Sequence, residues 1–435
     1  MEIQIAQIVY FALYLFYYLI ELIRNWWWFL APFVIWRFFV IIYLYWVQDK
    51  WTSQNVSNIV LEVKLPPDVM KPLKAMEQTL NCFWAPLYDP PNWKEKWFLG
   101  KYDIKLSLEI VSDNGVPRFY IFMDRSFKQS IEGCIFGQFP DAEITEVDDY
   151  TKEIPLTAPN NDWDLFGADL VFTSKKDFFP IRTLSRFFES GGENIKEEKR
   201  LDPIASLLEA MATQTRDGEH IWVQLNFHSV TDVESKFFTN AREFVDKLAK
   251  RPAKPKTRPV PKRVYEGLVF GKKLEDELPA EKISVMPEME LTPGEKDILR
   301  SVEDKMSKPI FKSCFRIMYI AKKDVFFKPQ IRIPFSFASQ FAISNMNAFL
   351  PFKPTFTKIV YFMKQRRVFA RKRALLRRYR KRQWPLTPYP GGTLFLNSEE
   401  IASIFHFPSK SVSPGPYIPR VQAKKVEVPP EVPIG

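Results

Sequence analysis

The chain has 435 residues, is 46% hydrophobic and carries a net charge of +11, so it can hold two or three domains with sizeable cores. Its three cysteines, Cys82, Cys134 and Cys314, are widely spaced and form no C-x-x-C. Neither a disulfide framework nor a zinc ribbon is expected, and each cysteine reads as a small buried hydrophobe in a reducing compartment. His220, His228 and His406 have no companions at ligand spacing, so they read as core or surface histidines rather than metal ligands.

The first 50 residues predict a transmembrane hairpin. Ile3 to Ile20 holds two glutamines and no charge, long enough to cross a hydrocarbon core of about 30 Å as a helix. "ELIRN" (21–25) then interrupts, and Trp26 to Val47 forms a second apolar run. The Trp26–Trp28 triplet and the Tyr43, Tyr45, Trp46 group suit the two membrane–water interfaces. No basic n-region or small-residue cleavage site marks a cleaved signal peptide. Arg37 falls near the middle of the second run, where it would face a partner helix, snorkel, or mark a segment lying partly in the interface. The basic content after residue 50 favours a cytoplasmic side for the rest of the chain.

Residues 55–155 read as β-α-β-β-α-β. A strand covers 58–66, a helix 68–84, and "YDIKLSLEIVS" and "VPRFYIFMD" pair across the hairpin signal "DNG". A helix over 126–140 with a Ser cap and a strand over 142–149 complete the split βαβ pattern of a ferredoxin-like module. Residues 160–400 allow a second such module with long insertions. Its parts are the strand "GADLVFTSK", a helix over 202–214 with Asp202 as cap and Pro203 at its first position, and a strand over 219–229. A helix beginning at Thr292, a strand over 311–322, a helix over 334–349 and a closing strand over 392–397 follow. The fold class predicted is therefore α+β, a helical hairpin followed by two ferredoxin-like modules. The basic, Pro-rich 251–263 reads as an extended linker and 408–435 as a Pro-rich tail.

Catalytic signatures are missing. "GLVFGKK" (267–273) has one residue too few for a phosphate-binding loop and lacks the following Ser or Thr. No G-x-G-x-x-G, H-E-x-x-H or G-x-S-x-G occurs. The carboxylates Asp141, Glu143, Glu146, Asp148, Asp149 and Glu153 lack calcium-loop spacing and read as a solvated strand edge. The paired glycines of 189–202 read as a flexible loop. No enzyme, cofactor or metal site is expected.

The most distinctive stretch is "KQRRVFARKRALLRRYRKRQW" (364–384), in which 11 of 21 residues are basic and none is acidic. It accounts for the whole surplus charge. Capped by Thr355 or Thr357, it predicts a helix running to Trp384, about 40 Å long. Val368 and Leu375, Phe369 and Leu376, and Tyr379 recur as a narrow apolar seam, which needs a surface to lie on. The candidate polyanion-binding residues are Lys364, Arg366, Arg367, Arg371, Lys372, Arg373, Arg377, Arg378, Arg380, Lys381 and Arg382. Three uses stay open: a solvated salt-bridged face, DNA-phosphate binding with counterion release, or contact with an anionic leaflet. Further on, Asn397 or Ser398 caps a short helix whose Ile401, Ile404 and Phe405 make one apolar face, for its own domain or for a docking partner.

"LEVKLPPDVMKPLKAMEQTLN" (61–81), "SLEIVS" (107–112), "FPDAEITEVDDYT" (139–151), "DPIASLLEAMATQTRDGEHIWVQLNF" (202–227) and "LNSEEIASIFHFP" (396–408) resemble the non-ATPase, membrane-anchored half of conjugative or type IV secretion-like proteins. The resemblance runs from about residue 55 to the C-terminus. It implies a bacterial cytoplasmic membrane and a separately encoded ring ATPase of the HerA/FtsK or coupling-protein type. No Walker motif is present, so ATP hydrolysis is not implied. The expectation is a non-enzymatic scaffold of a DNA-translocation machine that docks an ATPase. The alternative is a homo-oligomeric membrane adaptor whose basic helix binds anionic lipid.

Overall fold

The computed structural model describes residues 2–65, 74–183, 185, 187, 202–214, 216–232, 235–249, 291–360, 362–386 and 391–408, without the side chains of 2–9, 12, 30, 33, 34, 37 and 214. The expected linker at 251–263 and the tail after 408 lie outside them. The chain divides into two compact units. One comprises residues 1–57, 90–103 and 386–390, and the other 58–89, 104–385 and 391–435.

The first unit is built on α1 (Glu2–Asn55), a single helix of 54 residues. The expected hairpin is not found: helix continues through Asn25. Glu21 and Arg24 are 3.8 Å apart one turn along, and the Trp28 indole donates to the Asn25 carbonyl at 2.9 Å. "ELIRN" contains neither Gly nor Pro to stop a helix, and its Glu, Leu and Arg favour one. Among the described residues, no helix is long and apolar enough to cross a membrane.

The second unit is α+β. Nine strands are described: β1 (Asn58–Lys64), β2 (Leu106–Asp113), β3 (Val116–Asp124), β4 (Glu143–Val147), β5 (Trp163–Phe172), β6 (Glu219–Ser229), β7 (Ile310–Lys322), β8 (Phe349–Pro351) and β9 (Leu394–Asn397). All nine belong to one sheet: eight follow the order β4-β1-β3-β2-β6-β7-β5-β8, β9 pairs with the N-terminal end of β7, and every pairing is antiparallel. The β2–β3 hairpin turns at Asn114 and Gly115, both at positive φ, as a two-residue turn requires. The two halves have matching orders: β4-β1-β3-β2, and β8-β5-β7-β6 from the opposite edge. They join through β2 and β6, with Glu109 opposite Gln224.

One face of the sheet carries the main apolar core under α2 (Lys74–Trp84), α3 (Lys128–Gln138), α4 (Pro203–Gln214), α7 (Arg332–Ser339) and α9 (Ser398–Ile404). Asp202 caps α4 by accepting from Ile204 N at 2.9 Å. Asn397 and Glu400 form a reciprocal capping box on α9, which satisfies two otherwise orphaned donors. The inserted helices α5 (Phe237–Leu248) and α6 (Pro293–Met306) pack with Phe178 and Ile310 in a separate cluster. A box between Thr292 and Glu295 caps α6. The opposite face of the sheet is covered by α8 (Lys364–Arg380).

Three expectations on this unit are corrected. The strand that closes the second half is β8, not 394–397; the latter lies beside β7, with Ile310 opposite Asn397. The helix expected over 334–349 stops at Ser339, because 343–348 turn back so that the chain reaches β5 as β8. Cys82 and Cys134 are joined as a disulfide between α2 and α3, with Cα atoms 5.8 Å apart, whereas Cys314 is free and buried. A separation of 52 residues in sequence gives no local sign that two helices will set these positions side by side.

Candidate polyanion-binding face

The α8 sequence is almost wholly Arg, Lys, Leu, Ala and Gln, the residues that lose least on entering a helix. Its last turn holds Arg377, Arg378 and Arg380, where cations complement the helix dipole. The helix is shorter than expected. Thr355 and Thr357 do not cap it. Thr357 Oγ1 instead accepts from Gly167 N at 3.1 Å, and Thr355 Oγ1 from Asp169 N at 3.3 Å, so both satisfy the edge of β5. The first helical residue follows Met363, which sits in the left-handed region at φ 53° and provides no side-chain cap. The C-terminal part of the seam is buried: Leu375, Leu376 and Tyr379 pack with Leu165, Trp222 and Met318, and the Tyr379 and Trp222 rings are 4.9 Å apart. Gly167 permits this close layering, since a Cβ there would meet the Ile317 carbonyl at 2.5 Å and Leu375 Cδ2 at 3.1 Å. Phe369, at the other end of the seam, is exposed.

Beneath the C-terminal end of α8 lies a buried polar row. Glu109, Gln224, Arg316 and Asp169 stand opposite one another on the adjacent strands β2, β6, β7 and β5. Gln224 Nε2 donates to Glu109 at 2.8 Å, Arg316 Nη1 to Gln224 Oε1 at 3.0 Å and Arg316 Nε to Asp169 at 2.6 Å. The chain leaving α8 closes the row. Arg382 donates to both oxygens of Glu109 at 3.0 and 3.1 Å and pairs with Asp149. Tyr150 donates to Glu109 at 2.7 Å and meets the Tyr379 hydroxyl at 2.7 Å. Burial would lower the Arg382 pKa, but Glu109 and Asp149 outweigh it and hold the guanidinium well above its usual value. Burial, reinforced by the Glu109 charge, raises both phenols. Glu109 and Arg382, each bonded through several atoms, are fixed in place, whereas Asp169 is held through Oδ1 and its Oδ2 is buried without a hydrogen-bond partner.

The eleven candidate cations therefore divide into two groups. Arg382 is buried in the row. Arg380 donates to the carbonyls of Thr151 and Ile154, and burial lowers its pKa. Lys372 pairs with Asp164 at 2.5 Å, and Arg371 donates to the Phe356 carbonyl at 2.8 Å. Arg378 is half-buried and its pKa is lowered by burial. The exposed members are Lys364, Arg366, Arg367, Arg373, Arg377 and Lys381. At about 100° per residue, Arg366, Arg373 and Arg377 fall within about 40° of one another, with Lys381 beside them. The stripe from Arg366 to Arg377 is about 17 Å long, roughly five phosphate steps of one DNA strand. Among the described residues, no ion pair engages Arg366, Arg373, Arg377 or Lys381.

Ile401, Ile404 and Phe405 are buried in the main core, and the Phe405 ring meets Phe119 at 5.7 Å. They hold α9 to its own domain and offer no docking face. Arg37 lies within α1, and its side chain is not among those described. All three histidines are buried. His406 pairs with Asp202 at 2.8 Å and His220 lies 3.3 Å from Asp113. His228 is pulled down to about 3 by burial and by the charges of Lys312 and Lys105. The acidic stretch splits: Glu146 on edge strand β4 pairs with Lys128 at 3.1 Å, while Asp149 turns inward to Arg382. Among the described residues no group of His, Cys, Asp or Glu could hold a metal ion.

A cleft of about 220 Å³ opens on the same side of the sheet as α8, lined among others by Glu62, Asp113, Arg118, Tyr120, Tyr150 and Trp222. Burial pushes the Tyr120 phenol up to about 12. Arg118 lies 3.5 Å from Glu62. Glu62 and Asp113 are thus met within the cleft by Arg118 and His220, while Asp148 and Glu153 also line it, and no nucleophile with an adjacent base is assembled among its lining residues.

Sequence reading missed Glu109, Asp169, Gln224 and Arg316. Their one sign is a charged or amide residue in mid-strand, as in "SLEIVS" and "FRIMYI", where alternation alone places it on a solvated face. A family model described as "Domain of unknown function (DUF8128)" matches residues 93–417. No curated protein matches the chain.

Proposed function

The chain belongs to the family described as a domain of unknown function, DUF8128, and we propose that it is a non-enzymatic, membrane-anchored scaffold of a DNA-translocation machine of the type IV secretion or conjugation kind. In this reading each half of the sheet is a ferredoxin-like module. The helix α1 holds the protein at a bacterial cytoplasmic membrane, with the α+β unit on the cytoplasmic side. A separately encoded ring ATPase docks beside it, and DNA phosphates lie along α8. The ATPase and the secretion setting rest on the sequence phrases that resemble such proteins. Anchoring is supported by Leu13 to Ile20, eight consecutive exposed residues that are all apolar or tyrosine. At 100° per residue they surround the helix, and a helix apolar all round needs lipid or protein about it.

The observation that carries the DNA reading is the division of α8. Its inner cations and Arg382 are tied to the sheet and its loops, so the outer row of Arg366, Arg373 and Arg377 is presented on a rigid support. Such a row gains affinity by releasing counterions. A second reading, contact with an anionic lipid surface, is favoured by Val360 and Phe362, each 80% exposed, with Met363 and Phe369 exposed beside the same basic helix.

The test is a salt titration of DNA binding by the full chain in nanodiscs of neutral lipid. The DNA reading expects affinity that falls linearly in log–log salt and is lost when Arg366, Arg373 and Arg377 are reversed to Glu. Absence of DNA binding at low salt, with arginine-dependent attachment to anionic vesicles, would replace it by the lipid reading.

A further inference from the structure

The segment "NWKEKWFLGKYD" (92–103) belongs to the same compact unit as α1. It folds back along the end of that helix. Tyr43 donates to the Trp97 carbonyl at 3.0 Å and Thr52 to the Tyr102 hydroxyl at 3.2 Å. The Trp51 and Tyr102 rings meet edge to face at 5.4 Å. Gly100 makes the closest approach. It has φ 76°, and a Cβ on it would meet the Val47 carbonyl oxygen at 2.4 Å. Glycine alone tolerates both the backbone angle and the spacing.

The clamp uses backbone, Gly100 and Tyr102, and leaves Trp93, Phe98 and Leu99 outside, with Trp97 partly covered. Trp93 is 66%, Phe98 67% and Leu99 60% exposed, with Trp93 and Phe98 in edge contact at 5.9 Å. Tyr45 and Trp46 on α1 are exposed as well. Lysines are interleaved with them: Lys94 and Lys96 are exposed, and Lys50 lies 6.0 Å over the Trp46 ring. Aromatic bodies alternating with long cationic stems match the boundary between acyl chains and headgroups, where rings sit among the glycerols and ammonium groups reach the phosphates. A water-facing turn gains nothing from such a composition.

We infer that residues 93–99 form an interfacial wedge that enters the headgroup–acyl boundary of a bilayer beside Tyr45 and Trp46 of α1. The inference rests on the anchoring role proposed for α1, and adds a second lipid contact distant in sequence. The wedge fixes the depth of α1, because the Gly100 clamp ties it to one stretch of that helix.

The test attaches an environment-sensitive fluorophore to Phe98→Cys in the full chain. Cys82 and Cys134 are bonded and Cys314 is buried, so the new thiol is labelled selectively. Leu19→Cys on α1 and the exposed Leu156→Cys in the α+β unit serve as references. In phosphatidylcholine–phosphatidylglycerol vesicles the label at 98 is expected to shift to the blue and to be quenched more by a shallow than by a deep lipid quencher. The label at 156 should do neither. A water-like, unquenched label at 98 with a quenched label at 19 overturns the wedge and leaves the anchor standing. Absence of quenching at both 19 and 98 overturns both. A blue shift at 98 that grows with protein concentration and ignores the quenchers assigns the surface to a second copy, and also overturns the wedge.

Discussion

Arg382 and Glu109 are 273 residues apart in the chain and share two hydrogen bonds, of 3.0 and 3.1 Å, in the interior. The pair locks the end of α8 onto the central strand β2, and Asp149 and Tyr150 brace it from the loop after β4. Removing one partner leaves the other charged and buried. Arg382→Met is expected to cost about 3–5 kcal/mol. The double variant Glu109→Met, Arg382→Met should lose less than Arg382→Met alone, because the fully buried carboxylate of Glu109 is gone and only the partly exposed Asp149 is left without its guanidinium. Urea denaturation of the two variants decides this; equal losses would show that lost packing, not the orphaned charge, dominates.

The outer stripe should behave in the opposite way. Arg366, Arg373 and Arg377 are exposed, so replacing all three by Gln is expected to change stability by no more than about 0.5 kcal/mol per site. The slope of log affinity for DNA against log salt should fall by about 2.7, at about 0.9 per phosphate contact. Replacing Arg371 and Arg378 should act mainly on stability, since both are half-buried against the sheet layer. A slope unchanged by the triple substitution would remove α8 as the DNA contact.

The α+β class, the strands of the first half and the starts of α4, α6 and α9 were legible from sequence, because local signals determine them: the Asn114–Gly115 turn, the Asp202, Thr292 and Asn397 caps, and alternation along β1. The Ser cap expected for α3 is not formed, since that helix begins after Phe127 without a side-chain cap, and α5 carried no signal that was read. The misreadings share a cause in tertiary context. Nothing local distinguishes a Thr that caps a helix from Thr355 and Thr357, which bond the edge of β5. Nor could "LNSEEIASIFHFP" show whether Ile401 faces a core or a partner. The basic stretch is legible as a helix, but the helix covers only Lys364–Arg380 and only the C-terminal part of its seam lies on the sheet. Which of its cations are internal ties depended on acidic partners as remote as Glu109 and Asp164, and no spacing rule reaches those.

His406 gives a pH test. Its Nδ1 faces the Ala402 carbonyl at 2.9 Å and its Nε2 faces Asp202 at 2.8 Å, so both nitrogens face acceptors, an arrangement that favours the imidazolium. Burial opposes this charge, but Asp202 outweighs burial and raises the pKa above 6.5. The carboxyl of Asp202 is held below its ordinary value, His406 outweighing burial there too. A raised histidine pKa contributes stability that is fully present below the unfolded value of about 6.5 and is lost as pH rises through the folded value. His406→Gln should therefore be less stable than the natural protein at pH 6, and the gap should narrow as the pH climbs past the raised pKa. Denaturation midpoints from pH 6 to 9 measure it. A gap that widens with pH would mean that the ring is neutral when folded.

The Cys82–Cys134 bond bears on both stability and sidedness. It ties α2 to α3 across a separation of 52 residues, and loop closure of that size contributes roughly 4 kcal/mol to stability. Adding reductant should lower the denaturation midpoint of the natural protein and leave that of the Cys82→Ser, Cys134→Ser variant unchanged. Disulfides seldom persist in a cytosol kept reducing by glutathione and thioredoxin, and a DNA-contacting α+β unit has to face that compartment. Acid-trapping of cells followed by alkylation distinguishes the cases. The proposed function expects both thiols to be alkylated in growing cells and the bond to close on isolation in air. A pair found already bonded in cells would put the unit on the oxidising side of the membrane. The arginine stripe would then face lipid headgroups or a surface polyanion rather than cytoplasmic DNA.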